Sequence, residues 1–190
     1  MDKDKSFFYI CGLLSNIKFN NVKRLSFLAL LSGCIYLFQS CGKTPQSATT
    51  LPPKVVLAYV TSWSDVMPNP ELVTHINYAF GHVNDTFNGV RINNEERLKQ
   101  IVALKTQHPE LKVLLSIGGW GSGRLSEMAA DEGNRLSFAK DCQRVVKEFG
   151  LDGIDIDWEY PTSSAANISS SPDDTDNYTL LMRDIRQAIG

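Results

Sequence analysis

The sequence predicts an α/β protein in which βα units build a parallel sheet. From Lys54 onward, short apolar runs rich in β-branched residues alternate with longer segments of helical periodicity, and this alternation is typical of a parallel sheet. The 190 residues are 43% hydrophobic and 21% charged, which is the composition of a folded globular protein and favours a single domain.

Four segments have the length and residue types of buried strands: residues 55–60, 75–80, 112–117 and 153–158. Helical periodicity predicts two helices between them, over residues 94–107 and 134–149. The first must end before Pro109, which cannot continue a helix. A last helix is expected to begin near Asn177, because the acidic residues 173–176 suit a helix N-terminus. Its apolar stripe consists of Tyr178, Leu181, Met182, Ile185 and Ile189.

Two long polar loops, residues 62–71 and 162–176, each follow a predicted strand. In a βα barrel, the ends of the strands from which such loops leave carry the active site. These two loops are therefore expected to form walls of a substrate groove.

The first 41 residues have the pattern of an export signal. Lys18, Lys23 and Arg24 precede an apolar run over residues 25–38, which is shorter than the ~20 residues that span a bilayer. A basic flank before a short apolar core is typical of a secretory signal, which is not part of the mature fold.

Two cysteines close this segment, and each lies in a context that resembles the lipobox of bacterial lipoproteins, whose cysteine is acylated after cleavage. Cys34 matches that pattern better residue by residue, but cleavage there would leave the apolar residues 35–38 beside the anchor. Cys41 is favoured because a polar, proline-containing tether, residues 42–53, follows it. The resemblance implies an exported, membrane-anchored bacterial lipoprotein, periplasmic or at the cell surface. The alternative is an uncleaved membrane anchor with unmodified thiols.

Charge and residue spacing argue against several other classes of function. Nineteen basic and twenty-one acidic residues give a net charge of −2, so no broad positive surface is expected to attract nucleic acid. His75, His82 and His108 show no metal-ligand spacing. Cys142 would be alone in the mature domain, and its apolar neighbours at helical spacing predict a small hydrophobe on a buried helix face.

Three carboxylates alternate along the last predicted strand. Asp155, Asp157 and Glu159 occupy every second position, so on a strand they share one face at intervals of ~7 Å. The opposite face carries Ile154, Ile156 and Trp158. Crowded carboxylates in a poorly solvated space cannot all be ionised, so at least one is expected to have a raised pKa and to serve as a general acid. The alternative, a solvated edge strand with incidental acids, is disfavoured by the apolar opposite face.

Residues 152–161, DGIDIDWEYP, resemble the signature of the chitinases in family 18 of the glycoside hydrolases. Residues 57–59, 77–80 and 116–120 resemble, in the same order, the ends of the family's first three barrel strands. The resemblance covers residues 54–190 and implies a (β/α)8 TIM barrel, of which this chain contains about the first four βα units.

The resemblance also implies a role for each carboxylate. In the family's scheme, Glu159 is the acid that protonates the leaving oxygen. It then acts as the base that takes a proton from water. Asp157 orients the substrate's own N-acetyl group as it attacks the anomeric carbon, and Asp155 shares a proton with Asp157, while Asp152 is expected to be structural. This substrate-assisted chemistry is an exception to the scheme with a protein nucleophile. It retains the anomeric configuration and requires no cofactor.

Residues that line the substrate are expected at the ends of the strands. Aromatic faces there can stack on sugar rings, although aromatic residues are also common in cores. Gly118 and Gly119 allow a close backbone approach or a positive φ, with a plain turn as the alternative. The aromatic candidates are Tyr59, Phe80, Trp120 and Tyr160.

The length of the chain departs from that of the family. Removal of residues 1–41 leaves 149 residues, whereas a complete barrel typically takes ~250. In the family, a tyrosine and a tryptophan on strands five to eight also hold the sugar. This sequence does not include those strands. We therefore expect a truncated chain that is inactive, or nearly so, by itself.

The implied function is hydrolysis of β-1,4-linked N-acetylglucosamine polymers such as chitin. Two alternatives stay open: an endo-β-N-acetylglucosaminidase that acts on glycoprotein glycans, and a non-catalytic chitin-binding lectin on the same scaffold. Trp158 and Pro161 favour the chitinase type. Lectin relatives typically lack the proton donor that Glu159 provides here.

Overall fold

The computed structural model describes residues 54–190. The export signal, Cys34, Cys41 and the tether lie outside the described residues. The strands are β1 (Leu57–Thr61), β2 (His75–Val83), β3 (Val90–Ile92), β4 (Lys112–Gly118) and β5 (Gly153–Asp157). The helices are α1 (Glu95–Ala103), α2 (Leu125–Ala130), α3 (Glu132–Phe149) and α4 (Asp174–Ile189), with 3₁₀ turns at Leu104–Thr106 and Ala165–Asn167.

The four predicted strands form one parallel sheet in the order β1-β2-β4-β5. The short strand β3 adds to β2 in the antiparallel direction at Gly81 to Val83. Four parallel strands in this order are half the number in a (β/α)8 barrel. β1 and β5 are the edges of the sheet over the described residues, and all parallel strands present their carboxyl ends to the same side.

The core lies between the sheet and the apolar faces of the helices. The strands contribute the fully buried side chains Ile76, Tyr78, Val113, Leu115 and Ile117. The helices contribute Leu98, Ile101, Phe138, Cys142 and Leu181. Cys142 is thus the small buried hydrophobe that the helical spacing predicted, and burial raises the pKa of its thiol. Within residues 54–190, no helix is both long and apolar enough to cross a bilayer.

Two elements, β3 and α2, were not predicted from the sequence. β3 has three residues and α2 has six, and segments of that length are too short to show a periodic apolar pattern. The expected start of the last helix near Asn177 was wrong, because α4 already begins at Asp174. Asp174 is completely buried rather than a solvated charge ahead of the helix.

The buried Asp174 carboxylate connects the loop that follows β5 to α2. Its Oδ1 accepts a hydrogen bond from Ser126 Oγ (2.8 Å), and its Oδ2 accepts one from the Ser171 backbone N–H (2.7 Å). A buried carboxylate must be hydrogen-bonded to offset the loss of hydration. These bonds draw the helix start inward and fix one end of the loop.

Asp152 joins the start of β5 to its neighbours, which agrees with the structural role expected for it. Its Oδ2 accepts hydrogen bonds from the Val113 backbone N–H (2.8 Å) and from Lys105 Nζ (2.7 Å). Partial burial opposes ionisation, but these donors and the charge of Lys112 hold the pKa of Asp152 below its usual range.

Candidate active site

The alternation along β5 separates a polar face from an apolar one. β5 pairs with β4 so that Asp155 lies beside Ser116 and Asp157 beside Gly118. Ile154 and Ile156 pack against the core, and Trp158 is buried. Glu159 follows two residues after the end of the strand and is partly buried. Asp155 and Asp157 thus share the polar face of β5, as the period of two predicts, and Glu159 follows at the carboxyl end of the strand.

Asp155 is held by hydroxyl groups from two other strands. Its Oδ2 accepts hydrogen bonds from Tyr59 Oη (2.9 Å) on β1 and from Ser116 Oγ (2.7 Å) on β4. Burial raises the pKa of Tyr59 to about 12; a hydrogen bond from Asn77 opposes this shift, and the negative charges of Asp155 and Asp157 reinforce it. Tyr59 therefore remains a hydrogen-bond donor throughout the neutral range.

The pKa of Asp157, at the end of β5, is raised to about 6. Burial is the largest cause, followed by the negative charges of Glu159 and Asp155 and by a hydrogen bond with Glu159. The proton shared between Asp155 and Asp157 that the resemblance implied stays a prediction; Asp155 also accepts hydrogen bonds from Tyr59 and Ser116. The hydrogen bond with Glu159 places the carboxyl group with the raised pKa next to the residue expected to act as the acid.

Two glycines at the end of β4 allow the backbone to approach Asp157 closely. Gly118 has φ 131°, and a Cβ atom there would lie 2.0 Å from the Asp157 carbonyl oxygen. Gly119 has φ 93°, and a Cβ atom there would lie 2.8 Å from the Phe80 ring. The Gly119 backbone N–H also donates to the Asp157 carbonyl (2.9 Å). Both the close approach and the positive φ allowed by the sequence are therefore present.

We expect Gly118→Ala to lower the free energy of unfolding by about 2 kcal/mol, because the methyl group clashes with the Asp157 carbonyl and the residue must keep a positive φ. Urea unfolding of the full chain measures this change. Gly123→Ala is the matched control, since its Cβ would meet no atom within 4 Å. Equal stability of the two variants would contradict the prediction.

The aromatic candidates surround the same edge of the sheet. Trp120 is 66% exposed, and its ring meets that of the half-exposed Tyr160 edge-on at 6.3 Å. The Phe80 ring covers Gly119, and Tyr59 is partly exposed while its hydroxyl reaches Asp155. These positions place flat aromatic faces beside the carboxylates, where a sugar chain can stack on them.

Trp63 is a candidate that the sequence did not single out. It was included in the polar loop 62–71, yet its side chain is 71% exposed and its ring lies 6.4 Å from that of Phe80. A tryptophan in an otherwise polar loop directly after a strand is the signal that could have revealed it. Ser116 and Asn77 lie in the segments that resemble the family's strand ends, but they were not named as site residues; both are polar neighbours of the Tyr59–Asp155 pair.

Comparisons with known proteins identify the family and the extent of the likeness. The pattern that defines Glycosyl hydrolases family 18 matches residues 55–190. A probable chitinase 2 of Drosophila melanogaster is 33% identical over 156 residues, which cover 70% of this chain and 31% of the fly protein. The chain spans about a third of the length of the curated relatives it matches, with shares between 27% and 31% for three of them.

Solved structures of related enzymes share the fold of residues 54–190. The chitinase domain of the spore coat protein CotE from Clostridium difficile gives a TM-score of 0.70 at 38% identity, over 77% of this chain and 41% of that one. A glycoside hydrolase family 18 N-acetylglucosaminidase from Paenibacillus barengoltzii gives a TM-score of 0.65 at 42% identity, over 70% of this chain and 40% of that one. The predicted (β/α)8 TIM barrel class is thereby confirmed, with about four βα units in the described residues.

Proposed function

Because the chain belongs to family 18 of the glycosyl hydrolases, we propose that it acts on β-1,4-linked N-acetylglucosamine polymers such as chitin. The observation that carries this proposal is the hydrogen-bonded Asp157–Glu159 pair, with the pKa of Asp157 raised to about 6, at an edge lined by exposed aromatic rings. A carboxyl group that keeps a proton close to neutral pH can supply it, through this hydrogen bond, to the neighbouring Glu159, which we propose protonates the glycosidic oxygen.

In the proposed reaction, Glu159 donates its proton to the glycosidic oxygen, and the bond between that oxygen and the anomeric carbon breaks. The acetamido oxygen of the substrate supplies the electron pair that forms the new bond to the anomeric carbon, and Asp157 orients that group. Glu159 then takes a proton from water as the water displaces the acetamido oxygen. Two displacements at one carbon retain its configuration without a protein nucleophile.

Asp155 supports this reaction by keeping its own position. Tyr59 and Ser116 both donate to one of its oxygens, so the Asp155 side chain is held beside Asp157. The charge of Asp155 is one of the causes of the raised pKa of Asp157. The arrangement therefore favours the protonated form of Asp157.

We further propose that this chain, whose mature part is residues 42–190, is inactive or nearly so by itself. The four parallel strands supply one side of a groove, whereas catalysis requires the acid, the N-acetyl group and the anomeric carbon to be held together, and small misplacements cost ~10²-fold in rate. The test is to assay the full chain on a fluorogenic chitobioside, beside a version continued into a complete barrel by the last four βα units of a relative. Equal turnover by both proteins would contradict this proposal.

The same two proteins, assayed on different substrates, distinguish between the alternative functions. Release of short products from chitin oligomers, with no action on a high-mannose glycopeptide, supports the chitinase reading. Cleavage of the glycopeptide alone would favour an endo-β-N-acetylglucosaminidase. Binding of chitin oligomers by the complete barrel without any turnover would favour a lectin, an outcome that the presence of Glu159 argues against.

We also propose that the protein is exported and anchored by a lipid on Cys41, on the basis of the basic flank, the short apolar run and the polar tether. We expect Cys41→Ser to move the protein from the membrane fraction to the soluble fraction of its host cells, because the acylated thiol is lost. Cys34→Ser is the matched control. Retention of Cys41→Ser in the membrane with release of Cys34→Ser would assign the anchor to Cys34.

A further inference from the structure

The side chain of Arg97 donates hydrogen bonds on both sides of Trp63, to the end of β1 and to the loop that follows it (residues 62–66, the Trp63 loop). Its Nε atom donates to the Thr61 carbonyl (3.0 Å), and its Nη2 atom donates to the Val66 carbonyl (2.7 Å). These acceptors lie two residues before Trp63 and three residues after it. The planar guanidinium group donates along fixed directions, so the two bonds set the separation of the two ends of this short loop.

Asn94 adds a third bond to the same loop and couples it to the helix. Its Nδ2 atom donates to the carbonyl of Ser62 (2.8 Å), the residue directly before Trp63. Its Oδ1 atom accepts from the Arg97 backbone N–H as the N-cap of α1. Tyr78 Oη on β2 donates to the Asn94 carbonyl (2.8 Å). The donors that hold the loop are therefore themselves fixed to the sheet.

Arg97 is buried, so its hydrogen bonds to the two carbonyls differ from those of an exposed arginine, which water can replace at little cost. The residue is only 7% exposed, and both acceptors of its side chain are neutral backbone carbonyls. Burial of a guanidinium group is unfavourable unless its donors are satisfied. An apolar residue, like the neighbouring Leu98, would pack α1 without that cost. The guanidinium group is therefore best explained by the loop geometry that it imposes.

Phe80 has contacts on the side of the carboxylates and on the side of Trp63. Its ring covers Gly119, whose N–H bonds to the Asp157 carbonyl, and its centroid lies 6.4 Å from that of Trp63. We infer that a sugar chain at the carboxylates runs past Phe80, so that a longer chain reaches the exposed indole and a short one does not. A rigid loop offers this ring without an ordering cost on binding.

We propose that Arg97, supported by Asn94, is a positioning residue that fixes the Trp63 loop and thereby sets a preference for long over short oligosaccharides. The chain-length part of this inference rests on the proposed function. The ordering of the loop by Arg97 does not depend on any ligand. The two parts can therefore be measured separately.

The binding experiment uses the full chain with Glu159→Gln, so that no sugar is consumed, and titrates the dimer and the hexamer of N-acetylglucosamine. Arg97→Met and Trp63→Ala should each weaken hexamer binding by about three- to tenfold, because an unfixed loop must be ordered on binding, and should leave dimer binding unchanged. The double variant should lose no more than Trp63→Ala alone. Arg97→Lys should be intermediate, since one ammonium group cannot span both carbonyls.

Arg135→Met is the matched control, because Arg135 is also a buried arginine of a helix, 6% exposed, but donates to the Ala129 carbonyl and to Asp184. It should destabilise the fold without changing the hexamer-to-dimer affinity ratio. An unchanged ratio in Arg97→Met, or an equal additional loss in the Trp63→Ala background, would overturn the chain-length inference.

Hydrogen exchange in the absence of sugar tests the loop itself. Arg97→Met should speed amide exchange over residues 62–66 relative to the parent, while Arg135→Met should not. Unchanged exchange in Arg97→Met would overturn the positioning role. If neither sugar binds even a complete barrel, the proposed function and the chain-length preference both fail, and the exchange data still decide whether Arg97 orders the loop.

Discussion

Replacement of Glu159 by Gln is expected to reduce turnover by about 10²–10⁴-fold, the usual contribution of a general acid–base group. The amide keeps the shape of the side chain but cannot deliver a proton to the glycosidic oxygen or take one from water. Binding of chitin oligomers should persist, because the aromatic rings at the strand ends are unchanged. Steady-state kinetics on a fluorogenic chitobioside, in the chain continued into a complete barrel, measures this effect.

The control for this prediction is Glu127→Gln, since Glu127 is an exposed glutamate on α2. It should leave kcat and KM unchanged. Near-normal hydrolysis by Glu159→Gln would remove the central role assigned to Glu159. A loss of binding together with turnover would instead indicate a collapse of the site, which the unfolding transition of the same variant would reveal.

Replacement of Asp157 by Asn is expected to change rate and stability in opposite directions. The rate should fall by about 10²-fold, because the N-acetyl group is no longer oriented for attack and misplacement of reacting groups carries a cost of that size. The folded chain should nevertheless be more stable than the parent at pH 7. Ionised Asp157 is penalised by burial and by the charges of Glu159 and Asp155, and Asn removes that penalty.

The sign of the pH dependence follows from the raised pKa. The folded state holds the Asp157 proton up to about pH 6, compared with the ordinary value of 3.8, so the parent loses stability as pH rises between these values. The advantage of Asp157→Asn should therefore be present at pH 7 and vanish below about pH 4. Melting temperatures at both pH values measure it, with Glu110→Gln as an exposed control. A variant less stable than the parent at pH 7 would contradict this account.

The raised pKa of Asp157 also predicts the pH range in which the reaction slows. Above about pH 6, Asp157 loses its proton and can no longer donate it toward Glu159, so the proposed hydrolysis should slow on the alkaline side. That limb reports the pair and not either residue alone, because the two groups interact directly. Mutation and titration thus probe the same feature of the site by different measurements.

Local patterns were sufficient to predict the parallel sheet and the carboxylate face. The period of two along β5 puts Asp155 and Asp157 on one face and Ile154 and Ile156 on the other, whatever the rest of the chain does. Long periodic segments such as α3 were likewise predictable. β3 and α2 were not, because three or six residues carry too little periodic signal, and the early start of α4 depends on the buried contact between Asp174 and Ser126.

The sequence by itself determined that three carboxylates would share one face, because alternation along a strand is a local property of the backbone. Tertiary structure decided that the pKa of Asp157 is raised. Tyr59 and Ser116 reach Asp155 across sequence separations of 96 and 39 residues, and strand register places them there. The position of Trp63 likewise depends on Arg97 in a different element. Burial and long-range hydrogen bonds set pKa values and loop geometry, and neither exists until the strands and helices have packed.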